Sequence, residues 1–376
     1  MPVLPAILPL LIAHEGYSYL AAGLLITAYN VTSSFTQPVL GWLSDSRGFS
    51  VSISISLMIS AVFIALIGIA HDYTLIMVLA VLAALGHACF HPAALGLVSR
   101  LCSAENRGRL TSYFVVGGDI GYAIGPILAG ALVLWLGLPG LLFLVFPAIF
   151  MICALRYRLP GGIAGASAAY AGSPRSNTEE KHRSKIPFLI LLTSSIFRAW
   201  AIFAAITFLP TYLVSRGCNL MEASTLVSLM LLAGVAGQIA GGQVSDRIGR
   251  KEYMILGLIG AVPSFFVFYT TTGIVSFAAM LVFGFSLWST FAVAVAMSHE
   301  LLPENVGLAS GVMMGLAIGI GGLGVAITGV IADQYSLAAA LWSIPLLLFA
   351  AMLFMVVLPY PYKTWGRDRA LSVTGK

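Results

Sequence analysis

Charged side chains are nearly missing from this sequence. Asp, Glu, Lys and Arg make up 9% of its 376 residues, against about 25% in soluble domains. That scarcity leaves too little polar material for the solvated surface of a soluble catalytic domain. Cysteine is sparse too. Cys89, Cys102, Cys153 and Cys218 are scattered, without metal-ligand spacing or a disulfide framework, and read as small core residues or free thiols. No metal site and no cofactor are expected. The first residues carry neither a basic n-region nor a clear cleavage site, so no cleavable leader is expected.

What remains is apolar: aliphatic, aromatic and Cys residues reach 59%. Crossing lipid takes about 20 mostly apolar residues per helix, because every backbone N–H and C=O must be satisfied inside the segment. Such stretches lie near 19–43, 51–70, 74–99, 110–135, 138–155, 187–213, 221–244, 253–271, 274–298, 306–331 and 338–358. The reading is an all-α polytopic membrane protein. A shorter apolar stretch, 1–13, holds Pro2, Pro5 and Pro9 and amounts to about 20 Å of helix. It is expected to be a first helix cut short at Met1, with a re-entrant or interfacial piece as the alternative.

Lys and Arg are distributed unevenly. All but Arg198 and Arg216 fall in the gaps on one side: Arg47, Arg100 to Arg109, Arg156 to Lys185, Arg247 to Lys251, and Lys363 to Lys376. That bias marks the cytoplasmic face and places the C-terminus there. It also accounts for the formal charge of +5 without a nucleic-acid partner.

The chain repeats itself. Gly41-Trp-Leu-Ser-Asp45-Ser-Arg-Gly48 returns as Gly242-Gln-Val-Ser-Asp246-Arg-Ile-Gly249-Arg-Lys251, and Glu105-Asn106-Arg-Gly108 as Glu304-Asn305-Val-Gly307. Gly125 and Gly130 correspond to Gly324 and Gly329. This predicts two parallel copies of a six-helix bundle, 1–155 and 187–358, joined by a cytoplasmic linker, 156–186, and followed by a tail, 359–376. The linker is small, polar, basic and without periodicity, and is expected to be flexible.

The loop Gly-x-x-Ser-Asp-x-x-Gly, present twice, resembles the signature loop of the major facilitator superfamily. Its glycines permit a tight turn, and Asp45 or Asp246 can cap a helix or pair with Arg. The resemblance implies a gate at the cytoplasmic mouth built from Gly41, Asp45, Gly48, Asp246, Arg247, Gly249 and Arg250. The first copy lacks the trailing basic pair. Gly121, Gly125, Pro126 and Gly130 are similar to the glycine-rich helix motif of drug/proton exchangers. Glycine at four-residue spacing lets helices approach closely, and Pro126 provides a kink.

Further blocks run from Leu25 to Gly41 and through Phe90-His91-Pro92, Val116-Gly-Gly118, Glu300-Leu-Leu-Pro303 and Gly319 to Asp333. They resemble the fosmidomycin resistance protein family over essentially the whole chain. That resemblance implies a major facilitator fold and a proton-driven exporter of small molecules in the bacterial inner membrane, working as a monomer. A proton-coupled importer of a sugar or organic acid on the same fold is the alternative. A membrane enzyme or receptor would need paired catalytic groups or a sizeable extramembrane domain, and the sequence offers neither.

Ionisable groups at membrane depth cost about 2.5–3.5 kcal/mol on insertion scales, so each needs a reason. Asp119 is the acidic residue set well inside a span, and is expected to take up and release the coupling proton, or else to hold two helices together. His87 and His91, four apart, share a helix face and can relay a proton, although His91 precedes Pro92 and can instead be structural. Arg198 lies near the middle of its span and needs an anion, either Asp119 or the substrate. Asn30, Gln37 and Gln238 can contact substrate, although interhelical hydrogen bonding is the plainer role. Tyr113 and Tyr122 line the path or simply pack.

Overall fold

The computed structural model of the chain describes residues 2–47, 51–101, 107–158 and 185–360. Regular structure among them is helical throughout: α1 (Val3–Glu15), α2 (Tyr19–Arg47), α3 (Ile53–Leu66), α4 (Tyr73–Leu101), α5 (Arg107–Leu136), α6 (Val145–Arg158) and α7 (Ile186–Ser215). Then follow α8 (Leu220–Ile248), α9 (Arg250–Thr270), α10 (Gly273–Leu301), α11 (Val306–Gly311), a π-turn (Val312–Leu316), α12 (Ala317–Gln334), α13 (Leu337–Leu341) and α14 (Ser343–Val357). The tail beyond Tyr360 and the linker between Arg158 and Lys185 lie outside the described residues.

Nine helical stretches among the described residues are long and apolar enough to cross a bilayer, two fewer than the sequence reading has. The difference lies in α2 and α3. In α2, the length suffices but Thr27, Asn30, Thr32, Ser33, Ser34, Thr36 and Gln37 dilute the apolar run. With its 3-10 extension, α3 is a shorter apolar stretch, Ile53–Ile69. Large apolar side chains such as Phe150, Ile274, Leu346 and Val357 point outward and are exposed. In water they would form sticky patches; in a bilayer they meet acyl chains.

By packing, the described residues fall into two units. One comprises the described part of Met1–Asn177 with Ala199–Leu229 and Met314–Ile344; the other comprises the described part of Thr178–Arg198 with Met230–Met313 and the described part of Pro345–Lys376. In the first unit α2 packs on α4 and α12, α3 on α4, and α1 on α5. The α1 helix is buried along Leu4 to Pro9 and at Leu11. Glycine permits the closest approaches. A Cβ at Gly86 would lie 2.5 Å from the Ser60 nitrogen, and one at Gly125 2.7 Å from Pro2 Cγ. The proline in α5 removes a backbone donor, and its neighbour is satisfied from another helix: the Ile127 N–H donates to Ser228 Oγ at 3.0 Å.

In the second unit α9 lies along α10. Gly249 joins α8 to α9 at φ 109°, a left-handed conformation that glycine adopts without steric cost. Gly241 sits directly against the Ser289 carbonyl oxygen, whereas a Cβ on Gly242 would meet nothing within 4 Å. This contrast makes a matched experiment. Gly241→Ala forces a methyl group onto backbone that cannot rotate away, and is expected to cost about 1–3 kcal/mol by overpacking. Gly242→Ala should be neutral or mildly stabilising. The unfolding midpoints of the two purified variants in detergent check this, and equal midpoints would contradict it.

Candidate functional site

Two polar clusters stand out at membrane depth, one in each unit. In the first unit, α4 carries His87 and His91 one turn apart, and their rings meet edge to face with centroids 4.8 Å apart. Tyr29 of α2, fully buried, tilts towards His87 at 6.0 Å. On its other side His91 touches Phe90, which in turn abuts Phe114 of α5. Asp119 and Tyr122 lie one turn apart on α5, and the Tyr122 phenol is within electrostatic reach of both Asp119 and Tyr29. A carboxylate, two phenols and two imidazoles from α2, α4 and α5 thus gather in one region. Each of these groups can both release and accept a proton, and imidazole does so nearest neutral pH. The sequence singles out Asp119, Tyr122, His87 and His91 individually; Tyr29 is the member it misses, because a tyrosine in an apolar helix carries no signal of its own.

The other residues anticipated in this unit are placed differently. Asn30 is buried with its Cβ against α12, where a Cβ at Gly322 would lie 2.7 Å away, and its Nδ2 has no hydrogen-bond partner among the described residues. Gln37 donates to Ser33 Oγ one turn back on its own helix, at 3.3 Å. Tyr113 is exposed. Within the glycine motif, Gly125 approaches α1 and Gly130 approaches Ser224 of α8, whereas Gly121 faces open space. Gly41 and Asp45 fall in the last turns of α2, where side chains are not described, and Gly48 lies outside the described residues.

In the second unit, Arg198 is 3% exposed, with its guanidinium 5.4 Å from the centroid of the Phe291 ring on α10. Among the described residues its Nε and Nη1 have no hydrogen-bond partner, nor does the buried Ser195 Oγ one turn earlier on α7. The ring face supplies a cation–π contact worth about 2 kcal/mol when desolvated, well short of what a buried cation loses in hydration. Nearby, Ser194 Oγ donates to the Ala351 carbonyl at 2.8 Å and Phe197 stacks on Phe354, so α14 fixes this part of α7. Arg198 is held in place by packing, with unspent donors. Gln238 is half-buried on α8.

At the end of α8 and α10 the same unit builds a charged clasp. Arg250 meets Asp246 at 3.5 Å and Glu300 at 3.1 Å, and the Tyr360 hydroxyl donates to Glu300. Burial first, and then Glu300, push that phenol above its usual range. Lys251 is buried and its ammonium donates to the Val356 and Leu358 carbonyls at 3.0 and 2.7 Å, capping the carboxyl end of α14. Arg247 is exposed. Of these residues the sequence motif contains Asp246, Arg247, Gly249, Arg250 and Lys251; the partners Glu300 and Tyr360, and the seat of Lys251 on α14, come from folding. Among the described residues no group of three or more His, Cys, Asp or Glu is placed to hold a metal ion.

The chain is similar to known proteins in sequence and in fold. It matches the model of the Major Facilitator Superfamily over residues 2–323. It is 30% identical to the fosmidomycin resistance protein of Escherichia coli (strain K12) over 88% of this chain and 82% of that protein. It is 23% identical to a cis,cis-muconate transport protein of Acinetobacter baylyi over 76% of this chain and 71% of that one. Among solved structures, a bacterial homolog of the human lysosomal transporter Spinster, inward-facing and occupied, superposes with a TM-score of 0.75 at 16% identity, covering 95% of this chain and 90% of that one.

Proposed function

This chain belongs to the major facilitator superfamily and is a membrane transporter rather than an enzyme; from that premise we propose that it exports small anionic molecules in exchange for protons. The observation that carries the anionic class is the Arg198 guanidinium, buried and with two nitrogens unpartnered among the described residues. Leaving a charge buried without its counter-ion costs about 3–5 kcal/mol, and a substrate carboxylate or phosphonate bound beside Ser195 and Phe291 offsets that cost. A planar guanidinium matches either group through two parallel N–H donors. One relative is named for a carboxylate cargo and another for fosmidomycin resistance, which supports the same class.

Exchange with protons rests on the first-unit cluster. Asp119 is the carboxyl group that loads and releases the proton; Tyr122 and Tyr29 connect it towards His87 and His91. A potential near 100 mV supplies about 2.3 kcal/mol for each charge carried inward, enough to concentrate a substrate outward by more than tenfold. The repeat halves 1–155 and 187–358 are the bundles that alternate access, and the clasp around Asp246, Arg250 and Glu300 steadies the cytoplasmic gate. The protein works as a monomer in the cell membrane with its C-terminus in the cytoplasm.

Expression in susceptible bacteria tests this directly. Cells carrying the protein should accumulate several-fold less of a radiolabelled phosphonate antibiotic than control cells, and a protonophore should abolish the difference. Higher accumulation of an organic acid in the same cells, falling with the protonophore, would instead make the protein an importer.

A further inference from the structure

From its start to about Pro38, α2 is held unequally along α12. Towards its start, a Cβ at Gly329 would lie 2.6 Å from the Tyr19 carbonyl oxygen, and one at Gly322 would lie 2.7 Å from Asn30 Cβ. Further along, the corresponding approach of Gly319 to Phe35 is 3.0 Å and that of Gly315 to the Ser34 carbonyl is 3.5 Å. The seam is tight at one end and loosens towards the other, next to the π-turn Val312–Leu316, where a helix bends readily. Other glycines of α12 face α7: a Cβ at Gly321 would lie 2.6 Å from Ala199 Cβ, and Gly324 sits directly against the Trp200 ring. The Trp200 indole donates to Thr328 Oγ1 at 2.8 Å.

The tight end is closed by hydrogen bonds. Thr27 Oγ1 donates to the Gly322 carbonyl at 2.9 Å. At the tip, Asp333 accepts from the Tyr19 N–H through Oδ1 and from the Leu20 N–H through Oδ2, both at 2.8 Å. These are donors that a helix start leaves without an intrahelical partner. The next is met locally, since Ala21 donates to Ser18 Oγ at 3.0 Å, and Ala22 makes the first intrahelical bond, to the Ser18 carbonyl at 3.0 Å. Ser18 therefore meets one of these donors locally, and two are met by a carboxylate more than 300 residues away.

We propose that Asp333 is the latch of the gate opposite the Arg-rich loops: its paired bonds hold α2 to α12 while that face is closed, and they break when substrate leaves there. This rests on the transport reading above. A bidentate carboxylate on helix-start amides is charge-assisted on both bonds and favoured by the helix dipole. Opening must replace both bonds with water, so Asp333 sets how often the gate opens. Its role is positional; it need not touch the substrate.

The test uses a Thr27→Cys reporter, with the four native cysteines replaced by serine, in right-side-out vesicles without substrate. A membrane-impermeant sulfonated maleimide reports opening of the seam. Asp333→Asn should raise the labelling rate about tenfold or more, with the amount of monodisperse protein in detergent unchanged. Ser18→Ala, which removes a cap within α2 alone, should leave the rate near that of the parent. Asp333→Glu keeps the charge and should label at an intermediate rate, which serves as the readout if the Asn variant does not fold. Parental labelling in the folded Asp333 variants, or equal acceleration by Ser18→Ala, would overturn the latch. Because no substrate is added, labelling that rises in a protein that fails to export leaves the latch standing and removes the export reading instead.

Discussion

Replacing Arg198 with methionine should abolish export of an anionic substrate while making the protein harder to unfold. The two effects have opposite signs because the guanidinium is buried with donors that the described residues leave unpaired. For transport, losing a desolvated charge-assisted contact costs about 2–5 kcal/mol, or roughly 30-fold to several thousand-fold in affinity. For stability, exchanging a poorly compensated buried charge for an apolar side chain of similar length gains about 1–4 kcal/mol. Arg198→Lys keeps the charge but loses the planar pair of donors, so its transport should fall between the two. Substrate binding by calorimetry and the unfolding midpoint, measured on the same detergent preparation, separate the possibilities. A drop in stability of about 3–5 kcal/mol together with lost transport would mark Arg198 as one partner of a static ion pair. Unchanged binding would remove it from the substrate path.

Asp119→Asn should uncouple transport from the proton gradient. The substitution keeps the size and polarity of the side chain and removes its ability to gain and lose a proton. In energised everted vesicles, gradient-driven accumulation is expected to fall at least about tenfold, to the level that a protonophore leaves. Exchange of labelled for unlabelled substrate, which needs no net proton movement, should continue. His91→Asn should produce a smaller loss, since Tyr29 and Tyr122 remain in the same cluster. Retention of full gradient-driven accumulation by Asp119→Asn would show that coupling runs elsewhere. Loss of exchange along with accumulation would show that Asp119 shapes the substrate path.

How much of this is legible before folding differs from residue to residue. The pairing of His87 with His91 follows from helical spacing, and their ring contact is local. The charge of Arg198 at membrane depth is equally plain, but its second possible partner, Asp119, and its actual neighbour, Phe291, cannot be distinguished along the chain. Asn30 and Gln37 look alike as polar residues of one helix; packing separates them, turning one into the α12 seam and the other back onto Ser33. The glycine run of α12 reads as a close-packing motif, yet only the fold assigns Gly322 and Gly329 to α2 and Gly321 and Gly324 to α7. Asp333 gives no hint of its role at all, because what it caps is at the far end of the sequence.

Composition by itself determined that this is a helical membrane protein, and its internal repeat pointed to two related halves. The first conclusion holds because a bilayer makes each segment satisfy its own backbone, which is a local demand written within about 20 residues. The tertiary structure alone decided which helix touches which, where Arg198 rests, and that a carboxylate on α12 finishes the start of α2. Those choices depend on how surfaces of distant segments fit one another, and between helices in lipid that fit comes from close contact and scarce hydrogen bonds rather than from hydrophobicity.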